Sequence, residues 1–233
     1  MKFNAQEINR IKIESGFVST LKLAERDVSD IECTTKGLED DEIEFIQKDD
    51  ILEVVSRQKK RGWSIFRNND EPRIVKIAVP KGKHFQGIKI ESSVGRIEVK
   101  NITTSRLKIE GGVGSIFLKN VKVDERLKVE GGAGKFETEN CDFTNVKIEC
   151  GVGLCEVDAK LSGSTEIDGS VGKTSLIIHG KKEDYSIKGE SAPFFNSIKV
   201  DGEDLTKKFK NPEAKNTIKL VSGVGKLEVK FKE

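Results

Sequence analysis

The chain has 233 residues, of which 35% are hydrophobic and 34% are charged, so its apolar core is small relative to its surface. Its 41 basic and 39 acidic residues give a net charge of +2, and 6% of the residues are aromatic. Nucleic-acid-binding proteins usually carry a strong positive field or stacking aromatic rings, so we expect no nucleic-acid partner. No stretch approaches the roughly 18 consecutive apolar residues that a membrane span needs.

The N-terminal residues and the cysteines indicate the cellular compartment of the protein. The segment MKFNAQEINRIKIESG has neither the apolar core nor the cleavage pattern of a Sec signal. We therefore expect a cytoplasmic protein, with export to the cell surface by a non-Sec route as the alternative. Cys33, Cys141, Cys150 and Cys155 form no CxxC motif and have no histidine close by. This spacing predicts reduced thiols, no metal site and no cofactor.

The N-terminal part of the chain predicts short strands. Apolar and polar residues alternate in INRIKIES, FVSTLKLAE and VSDIECTT, a period typical of half-buried β-strands. Two more strands, EIEFIQ and DILEVVSR, flank Asp49-Asp50, whose turn chemistry predicts a hairpin. We interpret the seven acids between Glu39 and Asp50 as a solvated turn that blocks edge pairing. The alternative, a cation site, lacks the spaced oxygen ligands of a calcium loop.

The next segment, RQKKRGWSIFRNNDEP, is called the basic loop here and combines several bases with the single tryptophan. Loops of this kind suit anionic partners such as phosphate-rich polymers, acidic glycans or lipid headgroups. The alternative is a long hairpin whose apolar tip packs on the protein itself or in a homodimer. An unknown protein or an acidic polymer is thus the predicted partner. The candidate partner-binding residues are Arg57, Lys59, Lys60, Arg61, Trp63, Phe66 and Arg67.

From Ile88 to His179 one pattern is repeated five times. The copies are IKIESSVGRIEVKN, LKIEGGVGSIFLKN, LKVEGGAGKFETEN, VKIECGVGLCEVDA and TEIDGSVGKTSLII, and a sixth, IKLVSGVGKLEVKF, ends at Phe231. The central glycine recurs at positions 95, 114, 134, 153 and 172, in steps of 19, 20, 19 and 19 residues. A fixed period of this length is typical of stacked coils. We predict an all-β, single-domain parallel β-solenoid with 19–20 residues per coil, right-handed by the crossover rule.

Each regular coil is predicted to hold an IKIE-type strand, a glycine corner, a GRIEV-type strand and a polar third side. Glycine allows the sharp bend at the corner. The alternative architecture is an antiparallel β-sandwich of stacked hairpins that turn at each glycine. Within the single domain we predict irregular coils and a hairpin insertion over 1–87, regular repeats over 88–180, a hairpin or loop excursion over 181–217, and a final coil over 218–233.

Alternation along each strand predicts which side chains point inward. On the outward side, Lys89, Lys108, Lys128 and Lys147 should stack beside Glu91, Glu110, Glu130, Glu149 and Asp168. Because the two signs balance, we interpret these rows as a solvated face. The predicted inward residues are Ile88, Ile90, Leu107, Ile109, Leu127, Val129, Val146, Ile148 and Ile167 on the first strands, Ile97, Val99, Ile116, Leu118, Phe136, Thr138, Cys155, Val157 and Leu176 on the second, and Ile102, Val121, Val123, Cys141, Phe143 and Leu161 on the third side.

No catalytic residues are predicted. His84 and His179 have no clear serine or cysteine partner, and GSVGKTS at 169–175 lacks the glycine spacing of a phosphate loop. Cys150 replaces a corner glycine, which makes it the candidate for an exposed thiol, but we expect it not to be reactive. The acids stand in regular rows with lysines between them, whereas a polysaccharide lyase or hydrolase would need clustered aspartates or an Arg or Lys base. The sequence thus favours a non-enzymatic structural or interaction module.

The repeat IxIExxxGxIxVxN, preceded by IVKIAVPKG and followed by IKVDG and the last coil SGVGKLEV, resembles a bacterial family. It is similar, from Ile8 to Phe231, to the putative-adhesin family, a domain of unknown function. The resemblance implies a parallel β-solenoid and no established catalytic residues. The family's usual corner is Ser-Gly-Asp, where this chain has Ser-Val-Gly or Gly-Val-Gly. The adhesin label implies surface display, so a carbohydrate- or protein-binding adhesin is the first alternative function and a polysaccharide-acting enzyme the second.

Overall fold

The computed structural model describes residues 1–57, 71–169, 171–191, 196–205 and 211–233. The described chain is built from β-strands and one short 3₁₀ turn, Lys182–Asp184. The strands are β1 (Lys2–Phe3), β2 (Arg10–Ser15), β3 (Thr20–Arg26), β4 (Ile31–Lys36), β5 (Ile43–Lys48), β6 (Ile51–Ser56), β7 (Ile74–Pro80), β8 (His84–Phe85), β9 (Gly87–Lys100), β10 (Thr103–Lys119), β11 (Lys122–Glu139), β12 (Cys141–Glu149), β13 (Val152–Asp168), β14 (Val171–His179), β15 (Tyr185–Ser191), β16 (Asn196–Val200), β17 (Glu203–Asp204), β18 (Asn216–Ser222) and β19 (Val224–Lys232).

The coils stack as a parallel solenoid, as the repeat period predicts. Ile109 lies beside Val129 in the parallel pairing of β10 with β11, and every copy of the repeat is in register with its neighbours. Face A is the side formed by the IKIE-type strands, in the order β6, β2, β9, β10, β11, β12, β13, β18 and β15. The alternative of an antiparallel sandwich is wrong, because the repeats pair in parallel and do not fold into hairpins.

Face B is the side formed by the GRIEV-type strands. Its order is β7, β3, β9, β10, β11, β13, β14, β19 and β16, again in parallel. The third side is shorter, and it joins β8, β10, β11, β12 and β13. Faces A and B meet at the glycine corner, where the long strands β9, β10 and β11 bend from one face to the other.

The stacking order at both ends differs from the order along the chain. The coil formed by β2 and β3 lies between β9 and the later pair β6 and β7. At the other end, β18 and β19 lie between the regular repeats and the earlier pair β15 and β16. The last copy of the repeat is therefore an inner coil, and the segment predicted as an excursion supplies the coil outside it, with a hairpin formed by β16 and β17.

Antiparallel strands cover the N-terminal end of the stack. On face A, β5 pairs with β6 as the hairpin that the sequence predicts, with Asp49 at φ 52° in its turn. On face B, β4 pairs with β7, and β1 pairs with β4. Open strand edges are templates for aggregation, so a covering strand protects the stack.

The core is a column of apolar side chains inside the coils. All residues that alternation places inward are buried, including Thr138 at 4% exposure. The largest fully buried side chains are Phe85 and Phe143 on the third side. Burial of this column supplies the hydrophobic stabilisation of the fold, because each coil by itself has no closed core.

An asparagine ladder fixes one corner of the third side. Asn101, Asn120 and Asn140 adopt φ values of 56°, 51° and 51°, a region that asparagine tolerates better than most residues. Asn120 Nδ2 donates to Asn101 Oδ1 at 2.8 Å, and Asn140 Nδ2 donates to Asn120 Oδ1 at 2.9 Å. The repeat thus uses asparagine both for the turn and for the contact between coils.

Candidate functional site

The basic loop predicted from the sequence is seen at its first residue. Arg57 follows β6, and its Nη2 atom lies 2.9 Å from Glu44 Oε2 in an exposed ion pair. Its backbone N–H donates to the carbonyl oxygen of Glu42 at 2.8 Å. Lys59, Lys60, Arg61, Trp63, Phe66 and Arg67 lie outside the described residues, so their role as a partner-binding site stays a prediction.

A different basic surface lies on face A and is called the basic groove here. It is a depression of about 560 Å³ across β2, β9, β10 and β11. Ile51, Ile88 and Leu107 also border it, but the side chains of Ile88 and Leu107 are buried in the core. Among the described residues no acidic side chain lines the groove. Its seven basic residues are Arg10, Lys12, Lys89, Arg106, Lys108, Arg126 and Lys128.

The repeat register arranges these bases in two neighbouring rows. In the lysine row, Lys12 lies opposite Lys89 in the strand register. The row continues through Lys108 to Lys128 on successive coils. Parallel strands lie about 4.8 Å apart, so the ammonium groups form a closely spaced line. The second row begins one position before the apolar residue of each strand, where Arg106 lies opposite Arg126.

Gly87 interrupts the arginine row. It lies opposite Arg10 in the pairing of β2 with β9. A Cβ atom added at Gly87 would meet nothing within 4 Å. The missing side chain therefore leaves an open notch beside Arg10, with basic residues on both sides of it.

The lysines of the groove are held only by exposed ion pairs. Lys12 Nζ lies 2.7 Å from Glu14 Oε1, and Lys89, Lys108 and Lys128 pair in the same way with the glutamate two residues further on. The hydrogen bond to Glu110 raises the pKa of Lys108 above its ordinary value. Ion pairs as exposed as these stabilise a protein by about 0–1 kcal/mol. An incoming anion can therefore compete for the lysines at small cost.

The arginines differ in how far they are already paired. Arg10 donates to Asp50, with Nε 3.2 Å from Oδ1, and Arg106 Nε lies 2.7 Å from Glu125 Oε2 in a highly exposed pair. Arg126 makes no ion pair with any described residue. Guanidinium groups bind carboxylates and phosphates through two parallel hydrogen bonds, so Arg126 is the base best placed to receive an anionic ligand.

A short sequence motif marks this groove, although the charge pattern alone did not predict it. The arginine row comes from the motif RIKIE, RLKIE and RLKVE at 10–14, 106–110 and 126–130, and GIKIE at 87–91 supplies the notch. We interpreted the lysine and glutamate rows as a neutral solvated face because their charges balance. The arginines lie just outside that balanced pattern.

The histidines and the acids do not assemble a recognisable catalytic centre. His84 Nε2 lies 3.2 Å from Asp124 Oδ2, and His179 Nε2 lies 2.7 Å from Asp158 Oδ1, both at the surface. A histidine–aspartate pair acts in nucleophilic catalysis when a serine, cysteine or threonine is within hydrogen-bond reach of the imidazole. Within the part of the chain that the structure describes, no cluster of three or more His, Cys, Asp or Glu side chains could hold a metal ion.

Two predictions about the cysteines are wrong. Cys150 is 9% exposed, not an accessible thiol, and it forms a disulfide with Cys155 across the glycine corner, with Cα atoms 6.0 Å apart. The pairing needs no CxxC motif, because the bend at the corner brings residues five apart together. Cys155 is buried, as predicted. Burial raises the pKa of Cys33 to about 12 and that of Cys141 to about 11, so both free thiols are unreactive at neutral pH.

The sequence and the fold place the chain among known proteins. Residues 8–231 match the model of the Toastrack DUF4097 family. The chain belongs to the Toastrack family. Among solved structures, the chain is similar in fold to a putative adhesin from Bacteroides fragilis. That crystal structure has a TM-score of 0.54 and 17% identity, and the match covers 100% of this chain and 95% of that one.

A second solved structure that the chain matches is that of a putative cell adhesion protein from Clostridium sporogenes. Its TM-score is 0.48 at 17% identity, with 100% of this chain and 97% of that chain covered. No curated protein matches the sequence. At this level of identity the B. fragilis protein shares the fold with our chain. In the described part of the chain, no helix is long and apolar enough to cross a bilayer.

Proposed function

We propose that this Toastrack protein is a non-catalytic binding module whose ligand is an acidic polysaccharide held in the basic groove. One observation carries the proposal, namely the alignment of seven basic side chains along a groove that no described acidic side chain lines. The rows run across the coils, so a linear polymer lying along the solenoid would meet a new base at each coil. A scaffold without a ligand needs no such groove.

The chemistry of the groove favours sugar acids over nucleic acids. Proteins that bind single-stranded nucleic acids usually provide aromatic rings on which the bases stack. The described residues that line the groove include no aromatic side chain. Carboxylates of a polyuronate suit the paired hydrogen bonds of arginine.

An adhesin-type role at the cell surface is the setting that suits this ligand. The likeness of fold to a protein called a putative adhesin supports it. The Cys150–Cys155 disulfide also supports it, because disulfides persist in oxidising compartments. A purely structural cytoplasmic module and a polysaccharide-acting enzyme are the competing functions. Cell fractionation separates surface display from a cytoplasmic location, and incubation with the bound polymer followed by reducing-end analysis detects turnover.

The direct test is binding of polygalacturonate to the full chain, measured by calorimetry with neutral dextran as the comparison polymer. We expect binding of polygalacturonate that weakens as salt is raised, since surface electrostatic attraction is screened over about 10 Å at 0.1 M salt. The variant Arg106→Ser with Arg126→Ser should weaken binding by about tenfold or more, as loss of two charge-assisted contacts implies. The matched control, Arg26→Ser with Lys160→Ser, removes the same charge elsewhere and should bind like the wild type.

A second pair of variants isolates the notch. Gly87 has no left-handed φ and a Cβ there meets open space, so substitutions are tolerated by the fold. Gly87→Asp should abolish polygalacturonate binding by placing an acid beside Arg10, whereas Gly87→Ala should leave it intact. Equal binding by all four variants, or preference for single-stranded DNA over polygalacturonate, would overturn the proposed ligand.

A further inference from the structure

The glycine corner carries a continuous ridge of exposed apolar side chains. Val94, Val113, Val152, Val171 and Val224 are 45–59% exposed. Together with Ala133, they are lateral neighbours on successive coils, in the order 94, 113, 133, 152, 171 and 224. Apart from Met1, every large hydrophobic side chain exposed in the described residues belongs to this valine ridge or lies beside it, as Leu154 does.

The ridge borders a groove whose floor is formed mainly by glycines and serines. A Cβ at Gly112 would lie 2.1 Å from the carbonyl oxygen of Ser93, and one at Gly132 would lie 2.2 Å from that of Gly112. The close approach of the coils therefore forces glycine at these positions. The result is a depression of about 580 Å³ between the ridge and the row Glu91, Glu110 and Glu130. It extends across the coils of β2, β9, β10 and β11, so it lies beside the part of the ridge formed by Val94, Val113 and Ala133.

The two flanks of the ridge carry opposite charge. On face A the nearest charged row is acidic, with Glu91, Glu110, Glu130, Glu149 and Asp168 in register. On face B the nearest row contains Arg96, Lys135, Lys173 and Lys226, interrupted by Ser115 and Leu154. The corner is thus an apolar strip with a negative side and a positive side.

We propose that two copies of this chain associate through the valine ridge, side by side, about a two-fold axis parallel to it. In this arrangement the two ridges run in the same direction, and the Val94, Val113 and Ala133 part of each ridge lies against the glycine-floored groove of the other. The axis also places the basic row of one copy over the acidic row of the second. An axis across the ridges would run them in opposite directions and oppose acid with acid, which is unfavourable.

Charge complementarity holds at three of the six coil levels of the ridge. A two-fold axis along the ridge keeps each coil level with the same coil of the second copy. Glu91 then faces Arg96 of the second copy, Glu130 faces Lys135 of it, and Asp168 faces Lys173 of it. These three levels span the regular repeats. The match is a property of the repeat itself, because the acid stands about three residues before the ridge and the base two residues after it.

The size of the surface suits a reversible dimer. Six coils at about 4.8 Å give a contact about 25 Å long. With both flanking rows included, the contact reaches the lower end of specific interfaces, about 1,200 Å² in total. The dimer uses the corner between faces A and B, whereas the basic groove lies on face A further from the corner. This inference therefore stands or fails independently of the proposed polysaccharide ligand.

Sedimentation velocity of the full chain over a range of concentrations tests the association. We expect a monomer–dimer equilibrium in the micromolar range. Val113→Lys with Val152→Lys should raise the dissociation constant by about tenfold or more, since it places like charges in the centre of the contact. The matched control, Thr103→Lys with Thr144→Lys, adds the same charge on the third side and should dimerise like the wild type. The melting temperature of each monomer confirms that it is folded.

Cysteine cross-linking tests the direction of the two ridges. Val113→Cys and Val94→Cys should each give a disulfide-linked homodimer, because each position lies beside its own counterpart. The native cysteines do not interfere, since Cys33 and Cys141 are buried. In an antiparallel dimer, Val94→Cys mixed with Val224→Cys would give the mixed cross-link instead. That result would overturn the proposal, as would a chain that stays monomeric at all concentrations or a dimer that the ridge lysines leave unchanged.

Discussion

A Cβ atom on Gly114 would lie 1.9 Å from the carbonyl oxygen of Gly95 on the neighbouring coil. The same contact recurs at Gly134, Gly153, Gly172 and Gly225, each against the glycine of the coil before it in the stack. The φ angle of Gly114 is +144°, which side chains rarely adopt. Glycine is therefore required at these corners for two reasons, the backbone φ angle and the close spacing of the coils.

We predict that Gly114→Ala destabilises the protein by about 3 kcal/mol or more, because it adds backbone strain to a clash with backbone that cannot move aside. Urea unfolding followed by circular dichroism measures the change. Gly87→Ala is the matched control, since its Cβ meets open space, and its stability should stay within about 1 kcal/mol of the wild type. Equal stability of the two variants would contradict the steric account of the corner.

The asparagine ladder predicts a graded response at Asn120. Asn120→Ala removes one donor and one acceptor to neighbouring coils and strains a positive φ, so we expect a loss of about 2–3 kcal/mol. Asn120→Gly loses the same hydrogen bonds but relieves the backbone, so its loss should be about 1 kcal/mol smaller. Thermal melts of both variants separate the two causes, and alanine more stable than glycine at this position would refute the assignment.

The cysteine pairing predicts a thiol count. The unfolded, unreduced chain should show two titratable thiols, Cys33 and Cys141, and four after reduction. In the folded protein both should react slowly, because burial raises the pKa of each thiol. Reduction should lower stability by about 2 kcal/mol, as expected for a short closed loop. Cys150→Gly with Cys155→Ile introduces the residues that the coil of β10 has at these positions, Gly111 and Ile116, and should remove the dependence on reductant.

Glu98 predicts an acid-dependent loss of stability. Its side chain is 10% exposed and lies 2.7 Å from Arg96 Nε, 3.3 Å from Lys100 Nζ and 3.4 Å from Lys22 Nζ. Burial alone would raise the pKa of Glu98, but the hydrogen bond from Lys100 and the three cations hold it below the ordinary 4.5. The folded state thus binds fewer protons, and this stabilisation is present above pH 4.5 and lost as the pH falls below it.

The variant Glu98→Gln tests whether stability falls with pH in this direction. At pH 7 it should melt at a lower temperature than the wild type, because three cations lose their counter-charge. The difference should shrink as the pH is lowered from 5 to 3, where wild-type Glu98 becomes protonated. Glu203→Gln, at an exposed position on β17, serves as the control for loss of one negative charge. A difference that does not change with pH would show that Glu98 acts through packing.

The basic groove and the valine ridge could not be predicted from the sequence pattern. Arg106 and Arg126 stand in the same motif, yet their alignment beside Lys108 and Lys128 depends on strands that are about 20 residues apart. Val113 follows a glycine and precedes one, which predicts a bend but not the direction of the side chain. The bend turns it outward, and the next coil then extends the same surface.

What the sequence by itself determined is the repeated coil, its parallel stacking and its buried rows. These follow from local regularities, a period of two within each strand and of 19–20 residues between strands, and Ile109 beside Val129 is their direct consequence. The tertiary structure alone decided the order of the end coils, the Cys150–Cys155 bond and the two surfaces. Strand order, disulfide pairing and surface rows are set by tertiary contacts. Such contacts do not produce a repeating pattern in the sequence, so the sequence pattern does not predict them.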